Sequence, residues 1–203
     1  GIEHHRSIAM LLLTLLGSPI LYYGDEIAMC DTYISVERRV DTAGMIDPEH
    51  YTGRDPNRRP MQWDASTHAG FTTTSAEPWL PLNENRNTIN VATQEHDPAS
   101  TLTFYKSLLQ LRRESRALRE GSIQFLEDYG DVLAYLRESD EERLLIVINF
   151  SGDSCVLDLS NLADQAQAVL SSTMQRPEAA SVAEVALNAY ESVLFRLVLN
   201  KES

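Results

Sequence analysis

Residues 54–63 read Arg-Asp-Pro-Asn-Arg-Arg-Pro-Met-Gln-Trp, setting three guanidinium groups, two prolines and a tryptophan in a stretch too polar and too interrupted for a core. Guanidiniums are planar forks suited to carboxylates or to the hydroxyl face of a sugar, and Pro56 and Pro60 stiffen the backbone that aims them. The competing reading is a solvated loop whose arginines pair with nearby acids. Arg58 is the first candidate for ligand contact. Arg54, four residues earlier, is equally an anchor for the loop, and Arg59 reads as a solvated side chain. Asp25 and Glu26 can meet a ligand or bond to loop backbone. Trp63 and Trp79 can stack on sugar faces, although the preferred reading is that they pin the loop.

These groups need elements to position them. Residues 17–29, Gly-Ser-Pro-Ile-Leu-Tyr-Tyr-Gly-Asp-Glu-Ile-Ala-Met, hold a short apolar run rich in β formers, opened by Gly-Ser-Pro and closed by a glycine and two acids. It predicts a buried strand at 19–23 with carboxylates at its C-terminal end. Ile8, Leu11, Leu12, Leu15 and Leu16 recur at helical spacing and predict a helix over 2–16. Helix, tight turn and strand form one unit of an α/β layer fold, and in barrels of that kind the loops after strands build the active face. The loop at 30–53 is long enough to be a lid or binding loop. A further helix is predicted from Asp97-Pro98 and Ser100, with Leu102, Tyr105, Leu108, Leu109 and Leu111 on one side.

After Gly121 the pattern changes to strands at 122–126, 132–137, 144–150, 155–159 and 192–199, with polar turns between them, which predicts an antiparallel sandwich. The region 163–187 is rich in Ala and Gln, and its weak periodicity assigns no element. Thirty acidic against seventeen basic residues give a net charge of −13, which argues against nucleic acid or an anionic membrane as partner. No apolar run reaches membrane-spanning length, and no signal peptide is visible, so a cytoplasmic location is expected. Cys30 and Cys155 read as small buried hydrophobes rather than a disulfide pair. The five histidines show no metal-ligand spacing, no Gly-rich phosphate loop is present, and neither a metal nor a cofactor is expected. Asn149-Phe150-Ser151 matches a glycosylation acceptor but ends a strand, so the match reads as accidental.

The words GSPILYYGDEIAM at 17–29, RDPNRRPMQW at 54–63, DASTHAGFT at 64–72 and PWLPLNEN at 78–85, in this order, resemble the α-amylase superfamily of glycoside hydrolases, in its α-glucosidase (maltase) and oligo-1,6-glucosidase branch. Two departures are Arg59, where that branch usually has threonine, and Ala28, where glycine is usual. The resemblance implies the C-terminal remnant of a (β/α)8 TIM barrel at 1–118 and an antiparallel β-sandwich domain at 119–203. Such a barrel takes about 250 residues, and the aspartate nucleophile, glutamate acid/base and second aspartate of the family cannot be placed here. The chain is therefore identified as the C-terminal part of a longer retaining α-glucosidase acting on short α-glucosides of the maltose, isomaltose or sucrose type, itself inactive and partnered by the N-terminal part of its own barrel. By the same resemblance Arg58 reaches the sugar at the cleavage point and Glu37, in an Ile-Ser-x-Glu setting, faces the leaving-group sugar. A short surface helix whose Glu37 pairs with Arg38 or Arg39 of its own turn, or with a neighbour, is the other reading. Trehalose synthases or transglucosidases of the same superfamily, and the non-enzymatic heavy chain of an amino-acid transporter, remain alternatives.

Overall fold

A computed structural model describes residues 1–198 except 74, 128, 164, 176–178 and 181 and the side chains of Ala179 and Ala180. Its helices are α1 (Ile2–Thr14), α2 (Ala43–Ile46), α3 (Val91–Glu95), α4 (Thr101–Glu114) and α5 (Arg116–Glu120). Its strands are β1 (Ser122–Phe125), β2 (Val132–Glu138), β3 (Arg143–Asn149), β4 (Cys155–Leu157), β5 (Ala166–Ser171), β6 (Ala179–Ala180), β7 (Val185–Leu187) and β8 (Ser192–Leu197). Two compact units result, one of Gly1–Ile20 with Phe104–Ser203 and one of Leu21–Thr103. The division at 118/119 is a different cut, because α1 and most of α4 group with the strands.

In the first unit, six antiparallel strands run in the order β1-β2-β3-β8-β5-β6, and β4 pairs with β7 in a second, two-stranded sheet. The run Leu144–Ile148 is apolar without a break because both of its faces are buried. Leu145 and Val147 point into a core shared with Leu157, Val185 and Leu187 of the small sheet. Leu144, Ile146 and Ile148 point the other way, into a core completed by Met10 and Leu13 of α1, Phe104 and Leu108 of α4 and Leu118 of α5. Each such fully buried aliphatic side chain contributes about 1.5–3 kcal/mol. The sandwich is thus two sheets with a helical layer on the outer face of the larger one.

α1 buries Arg6, Ser7, Ala9, Met10, Leu13 and Thr14 rather than the predicted face, and Ile8 and Leu16 are exposed. Small side chains explain the choice: Ser7 lets the helix approach the sheet, and its hydroxyl donates to the Tyr190 carbonyl at 2.6 Å. The C-terminal carbonyls of α1 are met by cations, as the helix dipole favours. Arg137, fully buried on β2, donates to Thr14 O at 2.6 Å, and Arg112 to Leu13 O and Gly17 O, each at 2.6 Å. On α4, Ser100 caps the first turn by accepting from Thr103 N, and Leu109 is exposed rather than buried.

The five predicted strand regions all contain strands, although Leu199, at the end of the last, lies outside the described residues. Within 163–187, β5 inserts beside β8 and β7 supplies the partner of β4. Cys155 is half-buried, but Cys30 is exposed, contrary to the sequence reading: it packs into no apolar cluster among the described residues. Asn149 is fully buried and donates its amide to Asp153 O and Asn188 O, so it serves the turn structure and not a glycan. Among the described residues no helix is long and apolar enough to cross a membrane, and no group of His, Cys, Asp and Glu could hold a metal ion.

The predicted strand at 19–23 forms no ladder, ends in a turn at Tyr23 and is not buried: Ile20 is 86% exposed, and Leu21, Tyr22 and Tyr23 are also exposed. A strand requires a neighbour to accept its hydrogen bonds, and no described segment runs beside this one. Its C-terminal end is nevertheless ordered by a compact turn. Gly24 and Ala28 bracket Asp25–Ile27 in left-handed conformations, with φ of 94° and 57°. Alanine is strained there, whereas glycine is not. Ala28→Gly should therefore raise the stability of the chain by about 1 kcal/mol, read from urea unfolding followed by near-ultraviolet circular dichroism; a decrease would contradict the strain.

Candidate functional site

The site belongs to the second unit and is built on a clasp between two ends of a loop. Asp55, 1% exposed, accepts the amides of Val40 and Asp41 on Oδ2 at 2.7 and 2.9 Å. Asp41 answers by accepting Arg54 Nε and Nη2, each at 2.9 Å, and the Arg54 amide at 2.8 Å. The Arg54 contacts hold the Asp41 carboxyl well below the usual carboxylate range, and the same pair raises the Arg54 guanidinium. Arg39, also buried, ties the loop interior by donating to Ile34 O and Gly44 O at 3.2 and 2.8 Å. Gly44 and Gly53 meet so closely that a Cβ on Gly44 would lie 2.6 Å from Thr52 O.

From this clasp the chain enters a 3-10 turn at Asp55–Arg58, with Pro56 in its first turn, and then runs extended through Trp63. The extended part is held on both sides: Trp63 N donates to Ala69 O at 2.8 Å, and Val91 N and Ala92 N donate to Gln62 O and Trp63 O at 3.0 and 2.9 Å. The Tyr23 hydroxyl donates to Arg59 O at 2.9 Å, which joins the end of the 19–23 segment to the arginine connector. Burial, chiefly, raises the Tyr23 phenol above its ordinary value and keeps it a donor.

A cavity of about 440 Å3 results, lined by Tyr22, Tyr23, Trp63, Phe71 and Trp79 with Arg58, Arg59 and Glu26 among its polar groups. That volume lies in the range of small-molecule sites, roughly 300–1,000 Å3. Trp63 and Trp79 are 51% and 50% exposed, so they face the cavity with open rings instead of being buried as pins. Glu26 Oε2 accepts Gly24 N at 2.8 Å and Asp25 Oδ2 accepts Tyr22 N at 3.1 Å, which is the loop-bonding role open to both carboxylates. A smaller cavity of about 80 Å3, lined by Asp25, Cys30, Asp31, Asn57 and Arg59 among others, lies in the same unit.

The structure thus brings one of the three predicted site residues to the cavity. Arg58 lines it, half-buried. Arg54 is engaged in the clasp. Glu37 is exposed in the Val36–Arg38 turn and does not line the cavity; its carboxyl is lowered first by its own backbone amide and then by the Ser35 hydroxyl. Arg59 is not a solvated side chain: it is 3% exposed, donates from Nε to Pro81 O at 2.8 Å, and burial lowers its guanidinium. Tyr22, Tyr23 and Phe71 were not singled out by sequence. The two tyrosines read as buried strand residues, but both are about half exposed and line the cavity.

Residues 2–121 match the alpha amylase catalytic domain family and residues 123–194 the maltogenic amylase C-terminal domain. The chain belongs to the α-amylase family of glycoside hydrolases. It is similar to oligo-1,6-glucosidase of Bacillus cereus, with 31% identity over 97% of this chain and 38% of that enzyme, and to maltase A1 of Drosophila melanogaster, with 38% identity over 85% and 31%. It is also 38% identical to an amino acid transporter heavy chain of Rattus norvegicus, over 78% of this chain and 22% of that protein. The solved trehalulose synthase of Pseudomonas mesoacidophila superposes with a TM-score of 0.86 at 30% identity, covering 96% of this chain and 38% of that one. One variant of that synthase has been solved with sucrose as its substrate. The chain therefore spans 38% or less of the length of each of these relatives.

The clasp has a pH signature. Because the Asp41 carboxyl titrates below its unfolded value, the stability it contributes is full at pH 7 and is lost only as the pH falls below the unfolded value of about 4. Asp41→Asn should lower stability at pH 7, by a gap from wild type that is constant down to about pH 5 and shrinks below pH 4. Thermal unfolding across that range measures it, and a gap independent of pH would remove the charge from the clasp.

Proposed function

We propose that this chain is the C-terminal part of a retaining α-glucosidase that acts on short α-glucosides, of the maltose, isomaltose or sucrose type. The observation that supports this most is Arg58, a half-buried guanidinium with no hydrogen-bond partner among the described residues, on the wall of a cavity rich in aromatic rings. Such a cation can hold a ring hydroxyl and keep neighbouring carboxylates ionised, as an oxocarbenium-like transition state requires. The nucleophile, the acid/base and the third carboxylate come, in this reading, from barrel strands outside the chain. Those strands also pair with the exposed 19–23 segment, and the 203-residue chain alone does not hydrolyse glucosides. Oligo-1,6-glucosidases and maltases among the relatives favour hydrolysis, and the trehalulose synthase structures favour transfer within sucrose. Both outcomes follow from one covalent glucosyl-enzyme, differing in whether water or a sugar hydroxyl attacks it.

The test uses a protein in which the barrel is complete. Arg58→Ala should lower kcat/KM on p-nitrophenyl α-glucoside by on the order of 10²-fold, as for loss of one preorganised donor, while wild-type kinetics would assign Arg58 a structural role. In the same protein Glu37→Gln should change the ratio of kcat/KM between maltose and sucrose, and an unaltered ratio would take Glu37 out of the site. A folded wild type that releases no glucose and forms no transfer product from either sugar would favour the second reading, a non-enzymatic transporter heavy chain, which rests on the 38% identity to the rat protein.

A further inference from the structure

Arg59 is the residue of the cavity wall for which neither loop architecture nor the proposed glucoside chemistry accounts. Its Nε is satisfied by Pro81 O, but its Nη1 is buried and has no hydrogen-bond partner among the described residues. Asp31 and Glu84 act on it only through space. Arg58 lines the same cavity, and the one carboxylate on that wall, Glu26, already accepts Gly24 N. In a chain of net charge −13, this wall presents two cations against one anion. A buried guanidinium with one nitrogen left without an acceptor is costly, and an anionic oxygen is the partner that offsets most of that cost.

We propose that Arg59 is a specificity-determining residue, and that the cavity takes a sugar ring bearing an anionic group, a carboxylate or a phosphate, with the anion on Arg59 and Arg58. The rings of Trp63 and Trp79 supply apolar faces for the sugar. This rests on reading the cavity as a sugar site and adds to its neutral glucosides an acidic glycoside that it binds in preference to them. Neutral sugars satisfy Arg58 alone.

The chain contains two tryptophans and both line this cavity, so its intrinsic fluorescence reports occupancy directly. Titration of the 203-residue chain with glucuronate, glucose 6-phosphate, glucose and inorganic phosphate compares the probes at one site. At least one acidic sugar should bind about 10-fold or more tighter than glucose, with affinity that falls as sodium chloride is raised. Which of the two acidic sugars is preferred identifies the group. Phosphate alone should bind more weakly than the preferred sugar, because it leaves the rings uncovered. Arg59→Thr should bring the acidic sugar to the level of glucose, and Arg59→Lys should retain part of the preference. Equal affinities for glucose and both acidic sugars, a response to none of them, or a preference that survives in a folded Arg59→Thr variant would each overturn the proposal. The wild-type comparison does not depend on any variant folding. Kinetic loss on Arg58→Ala without an acidic preference here would leave the glucosidase reading standing and remove only this one.

Discussion

Two carboxylates that cross-brace the ends of a loop set the geometry on which the rest of the second unit depends. Asp41 takes the side chain and amide of Arg54, and Asp55 takes the amides of Val40 and Asp41, so each acid serves the other's segment. Closing a loop of this length costs chain entropy, and the charge-assisted bonds accepted by the buried Asp41 and Asp55 carboxylates help to offset it. The consequence is directional. With residues 54 and 55 fixed, the turn at Asp55–Arg58 has one way to leave, and Tyr23 meets it by donating to Arg59 O. Arg58, Arg59 and the two indoles then share one cavity wall.

The first unit follows another logic, that of area. Its central strand β3 is apolar from Leu144 to Ile148 because one face packs on a small sheet and the other on helices. The helices stay because their polar ends are also satisfied: Arg137 and Arg112 take the last carbonyls of α1, and the Thr14 hydroxyl lies 2.5 Å from that of Tyr135. In the segment after α1, Arg112 still meets Gly17 O, but little apolar area is buried. Leu16, Ile20 and Tyr22 stand in solvent, an arrangement that marks an interface surface or an aggregation liability.

Much of this was legible in the sequence where a local rule has one solution. The apolar runs Val132–Leu136 and Leu144–Ile148, bounded by polar turns, dictate strands, and the words around Arg54 and Arg58 mark both the family and the connector. The failures occur where the deciding term is tertiary. From Ile8 to Leu13 α1 is apolar all round, so periodicity does not show that small Ser7 and Ala9 choose the packed face. β5 opens on Ala-Gln-Ala and β7 is only three residues long, and they become strands because β8 and β4 offer edges. The 19–23 segment has strong β propensity but no partner, and propensity alone does not make a ladder. Arg59 was read as solvated because arginine usually is; only the fold puts Pro81 O beside its Nε.

The claim at the centre of this account is that the arginine connector is seated against the end of the 20–23 segment. Nuclear Overhauser effects from the Tyr23 ring, measured on the isotopically labelled chain, test it directly. The account predicts cross-peaks from that ring to the backbone and side-chain protons of Arg59 and its neighbours. A Tyr23 ring with no contact to residues 57–60 would contradict it.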